Sequence, residues 1–97
     1  MAKIFTKADA KRIGDAVGVD WSEIPIEEFL MGLHVELEHG TKLGDKTNVT
    51  DDDETVTGKI AHAHLLEFPD YYTRHEKMEQ EAEIFWENRS RKIADQN

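Results

Sequence analysis

The sequence predicts an all-α fold: a small bundle of three helices, or four if the last is broken rather than kinked at Pro69, closed within one chain or completed by dimerisation. Three observations lead there. Apolar residues recur every three to four positions through most of the chain, start and stop signals bracket those stretches, and no internal repeat or low-complexity tract interrupts them. A length of 97 residues fits one domain, taken as 1–97 with a polar tail at 91–97 that frays. So short a chain hides only about 60 to 65% of the surface its unfolded form exposes, so a metal or a partner chain would add to its stability.

The first helix is expected to follow Thr6, whose hydroxyl caps it while Asp9, three residues on, completes a capping box. Phe5 and Ala10 form a hydrophobic staple, Ile13, Ala16 and Val17 point inward, and Gly18 stops the helix. Trp21, in the connector, plugs the core. Pro25 suits the first turn of a second helix, where Glu27 and Glu28 favour the positive dipole end. Ile26, Phe29, Leu30, Leu33 and Leu37 mark its buried stripe, and Gly40 ends it.

The segment 41–50 has no periodicity and reads as a loop. Thr50 or Asp51 is expected to cap a third helix whose first turn carries Asp52, Asp53 and Glu54; the run lacks the spacing and central glycine of a calcium loop. That helix runs through Val56 and Ile60 to Phe68, and 70–89 is again strongly helical. If Pro69 only bends the chain, one stripe carries Ile60, His64, Glu67, Tyr71, His75, Met78, Ala82 and Phe85. Met78, Phe85 and Trp86 read as core or as a dimer seam.

The absence of cysteine excludes disulfides, thiolate zinc sites and cysteine nucleophiles, leaving nitrogen and oxygen as the only metal donors. Twelve Lys and Arg against 21 Asp and Glu give a formal net charge of -9, which repels nucleic-acid backbones and anionic membranes and suits a basic protein partner or a cation. With no apolar run of signal-peptide or membrane-span length, the expected location is the cytoplasm. No nucleophile–base–acid set and no glycine-rich phosphate loop stands out, which points away from an enzyme.

Two Glu/His pairs carry the sharpest chemical signal. Glu36 and His39 are three apart, as are His64 and Glu67, so each pair shares a helix face, and a carboxylate in an apolar stripe must be bonded, protonated or bound to a cation. The Glu-x-x-His spacing is the one by which di-iron bundles offer ligands inward. On antiparallel neighbouring helices the pairs would converge on iron, manganese or zinc, with Tyr71 as a further ligand or a donor behind the ligands. The alternative is structural: the four residues bond one another and hold the loop 41–50. Gly32 lies on the same edge and would admit another helix closely. His34 and Glu38 fall on the opposite flank and read as solvated, and His62 and His75 as unremarkable.

The strings IPIEEFLMGLHVELEHGT and TNVTDDDETVTGKIAHAHLLEFPDYYTR resemble a small family of bacterial and phage proteins of unknown function over about Phe5 to Ala82. Glu36, Glu38, His39, Gly40, His64, Glu67, Pro69, Asp70, Tyr71 and Tyr72 match the family pattern, whereas Glu54 replaces a usual proline and His62 and His75 replace usual apolar residues. The resemblance implies no activity. Two readings follow: a metal-binding helical protein with ligands Glu36, His39, His64, Glu67 and Tyr71, or an acidic protein–protein module of the kind a phage uses against a host protein.

Overall fold

In a computed structural model, which describes residues 4–95 and side chains through Arg89, the protein is all-α, with no strand among the described residues. Four α-helices follow in order: α1 (Lys7–Val17), α2 (Ile26–Glu36), α3 (Glu54–Glu67) and α4 (Tyr71–Asp95). Two 3₁₀ turns, Leu37–His39 and Thr41–Leu43, lie between α2 and α3. The core gathers Phe5, Ala10, Ile13, Val19, Ile24, Phe29, Leu33, Ala61, Leu65 and Tyr72.

α1 starts as its sequence requires: the Asp9 N–H donates to Thr6 Oγ1 at 3.1 Å and the Thr6 N–H to Asp9 Oδ2 at 2.9 Å. The Thr6 backbone N–H, and then the Thr6 hydroxyl, hold the Asp9 carboxyl below the usual range. The helix ends on Gly18 at φ 87°, a left-handed conformation that favours glycine. Its inward residues are Ala10, Ile13 and Gly14, with Val17 half-buried; Ala16, expected inward, faces solvent because it lies off that arc. Trp21 covers Gly14, where a Cβ would come within 2.3 Å of the indole, and meets Phe29 edge-on at 5.7 Å. Its indole N–H donates to Asp15 at 2.8 Å, so the plug keeps its polar edge outward.

The acidic run before α3 divides differently from expectation. Asp53, not Thr50 or Asp51, caps the helix by accepting from the Val56 N–H at 2.9 Å, while Asp51 and Asp52 adopt positive φ of 53° and 61°. Asp52 then turns back and accepts from the Thr41 N–H and hydroxyl at 2.9 and 2.6 Å. The His39 carbonyl accepts from the Val49 and Thr50 N–H groups at 2.6 and 3.3 Å. Asp52 and the His39 carbonyl thus hold the segment 41–50, together with the Asn48–Asp51 hydrogen bonds and the Lys42–Glu38 ion pair.

α3 buries Thr57, Gly58, Ala61 and Leu65, whereas Val56 is exposed and Ile60 half-buried. At Pro69 the chain breaks. Phe68 is extended at φ -144°, ψ 124°, so the stripe drawn through Ile60, His64, Glu67 and Tyr71 is not continuous, and the phase of α4 is reset. Tyr72, not Tyr71, is then the fully buried aromatic of α4. The helix continues through 91–94 to Asp95, where a frayed tail was expected; Gln96 and Asn97 lie outside the described residues.

α2 and α3 run in the same sense, contrary to the antiparallel arrangement considered from sequence. Phe29 meets the Gly58 position near the start of both helices, and Glu36 meets His64 near the end of both. The intervening segment 37–53 is long enough to carry the chain back to the starting end.

Candidate functional site

The site lies where the ends of α2 and α3 meet the first turn of α4, and Tyr72 is its centre. The Tyr72 ring rests on Gly32, where a Cβ would stand 2.4 Å from Cε2, so the bare backbone of α2 is what lets α4 approach. Glu28 and Glu36 flank it, one turn before and one turn after Gly32 on the same face of α2. Both carboxylates are buried, at 8% and 4% exposure.

Each does a different task. Glu28 accepts from the backbone N–H groups of Tyr72 and Thr73 at 3.1 and 3.3 Å and from the Thr73 hydroxyl, thereby capping α4 from another helix. Glu36 Oε1 accepts from the Tyr72 hydroxyl at 2.9 Å. Burial, and then the neighbouring Glu36 charge, push the Tyr72 phenol far above its usual range, so it stays a neutral donor.

Two imidazoles stand beside Glu36. His64 Nε2 is 3.6 Å from Glu36 Oε1, and His39 Nε2 is 3.6 Å from Oε2. These separations are too long for hydrogen bonds. His64 Nδ1, on the other edge of the ring, lies 3.5 Å from Glu67. The His64 ring also stacks on Tyr71, with centroids 4.3 Å apart and planes 12° from parallel.

Of the five residues singled out in the sequence, Glu36, His39 and His64 are brought together, with Glu67 behind His64 and Tyr71 flat against it. Glu67 does not lie in an apolar stripe; its side chain is 70% exposed because α3 ends there. Among the described residues, no group of three His, Asp or Glu side chains is already spaced to hold a metal ion. His34, expected in solvent, is half-buried, and its Nε2 accepts from the Phe5 N–H at 2.9 Å, tying the start of the chain to α2.

Sequence reasoning missed Glu28 and the central role of Tyr72. The recurrence of Glu28, Gly32 and Glu36 at four-residue steps was a usable signal for a face that receives another helix. A groove of about 460 Å³ opens beside the site between α2 and α4, floored by Met31, Val35 and Tyr72 and rimmed by carboxylates including Glu38 and Glu79.

The chain is therefore a small all-α protein organised around a buried tyrosine–carboxylate pair with two imidazoles at its edge. It belongs to the family described as protein of unknown function (DUF5661), whose model matches residues 10–81. No curated protein and no solved structure matches it. No described helix is long and apolar enough to cross a membrane.

Proposed function

We propose that the protein binds a divalent transition metal, non-catalytically, through Glu36, His39 and His64. The observation that carries this reading is the Glu36 carboxylate, which is buried yet, among the described residues, receives one hydrogen bond, from Tyr72, while an imidazole nitrogen stands 3.6 Å from each oxygen. A buried charge so sparsely compensated is costly, and a cation between it and the imidazoles would offset that cost. Donors about 2.1 Å from a tetrahedral ion lie roughly 3.4 Å from one another, close to the separations already present. His39 is 58% exposed and closes the remaining gap by a rotamer change.

In this reading Glu67 is an orienting group. It faces His64 Nδ1 at 3.5 Å, leaving Nε2 toward Glu36, the carboxylate–histidine–metal order common at such sites. Tyr71 fixes the ring plane by stacking. Two nitrogens and a carboxylate suit zinc, manganese or iron.

The test is elemental analysis of untagged protein together with thermal melts in each metal. Metal at 100 times its dissociation constant is expected to stabilise the fold by about 2.7 kcal/mol, and His64→Ala to abolish the effect. Melting curves unchanged by all three metals would overturn the proposal. A second reading, an acidic module for a basic protein partner, is favoured by the acid-rimmed groove between α2 and α4 and the net charge of -9. It predicts salt-sensitive binding that survives chelation.

A further inference from the structure

The distal half of α4 carries apolar side chains that nothing among the described residues covers. Met78, Ile84, Phe85 and Trp86 are 54 to 59% exposed, and Ala82 lies among them. Tyr71, His75, Met78, Ala82, Phe85 and Arg89 alternate steps of four and three residues, the spacing of a helix-pairing seam. At its start that seam is occupied by the body of the protein, since Tyr71 stacks on His64 and His75 lines the groove against α2. From Met78 onward it is open.

We propose that this seam pairs with the same seam of a second copy, antiparallel, about an axis between residues 83 and 84. Three features select that occupant and that direction. In a parallel pair, the partner's 71–79 would need the face that the body already fills; reversing the partner places the two bodies at opposite ends. The reversed register sets Ala82 opposite Phe85 of the other copy, small against large. Charge agrees as well: over 74–87 Glu76, Glu79, Glu81, Glu83 and Glu87 outnumber Arg74 and Lys77, and Arg89 follows, with Arg91 and Lys92 next in sequence. Antiparallel pairing brings Arg89 of one copy beside Glu79 and Glu81 of the other, whereas parallel pairing stacks like on like. Within one chain Arg89 sits over the Trp86 ring at 5.8 Å, and Trp86 meets Phe85 edge-on at 5.1 Å.

Sedimentation equilibrium of the full chain at low salt tests the association. A dimer is expected whose dissociation constant rises about a hundredfold in Phe85→Glu, a central apolar anchor, with the far-ultraviolet circular dichroism of the body retained. Arg89→Glu is expected to weaken it about tenfold, and adding Glu79→Arg and Glu81→Arg to restore it. That charge reversal remains decisive even if Phe85→Glu misfolds. Orientation is read from spin labels on single cysteines placed at Lys77 or Glu83. Along the axis, equal positions should lie about 18 Å farther apart at 77 than at 83. A chain that stays monomeric, a charge reversal that fails to restore pairing, or equal label separations would each overturn the proposal.

Discussion

Replacing Glu28 with alanine removes the side chain that receives the Tyr72 and Thr73 N–H groups at the start of α4, and the size of the effect follows from what is left behind. The Tyr72 N–H belongs to a fully buried residue and would lose its acceptor, at a cost of about 1 to 3 kcal/mol. Thr73 is exposed and can turn to water, so its share is small. The carboxylate also lies in the first turn of α2, so its charge favours two helix N-termini, adding about 0.3 to 1 kcal/mol for each. The sum is about 2 to 5 kcal/mol. At roughly 4 to 8 °C per kcal/mol for a domain of this size, the midpoint should fall by at least about 8 °C. Glu28→Gln keeps an acceptor oxygen and should lose less, about 1 kcal/mol. Thermal and urea denaturation followed by circular dichroism measure both variants. If Glu28→Ala lies within about 0.5 kcal/mol of the parent, the capping account of α4 is wrong.

Gly32→Ala places a methyl 2.4 Å from the Tyr72 ring, and because that ring is held by Glu36 it cannot swing away freely; a loss of about 1 to 3 kcal/mol is expected in the same urea assay. The Tyr72 phenol is raised above its ordinary 10.0 in the folded state, so the stability it contributes is complete below that pH and is lost as pH climbs from there toward the folded value. Denaturation midpoints from pH 8 to 11.5 should therefore fall more steeply above about pH 10 for the parent than for Tyr72→Phe, and parallel curves would refute this.

The helices were legible in the sequence because their signals are local. The Thr6–Asp9 box, Gly18, and the stripe of Phe29 and Leu33 depend only on neighbours a turn away. Glu36 was legible as well, since a carboxylate beside Gly32 on a buried edge must find a partner. What could not be read were relations set by the path between helices. Nothing local says that 37–53 returns α3 in the same sense as α2, and that path decides that His64 rather than Glu67 faces Glu36. The extended Phe68 shifts the phase of α4 by one residue, enough to exchange Tyr71 for Tyr72 in the core. The acidic run concealed its cap because three successive aspartates all qualify chemically, and only backbone geometry selects Asp53.

Three packing contacts, two of them between helices, share a plan: the indole of Trp21 in the hollow of Gly14, Ile13 in that of Gly58, and Tyr72 in that of Gly32. Each is a socket with its plug, and the two members lie far apart in sequence for the latter two pairs. A socket that gains a side chain must expel its plug, and a plug that shrinks leaves a void, so the members of a pair constrain each other's history. Across relatives of this chain, substitutions at 32 and 72, or at 58 and 13, are therefore expected to arrive together, and a lineage that fills one hollow without trimming its plug gives up the angle at which those helices cross.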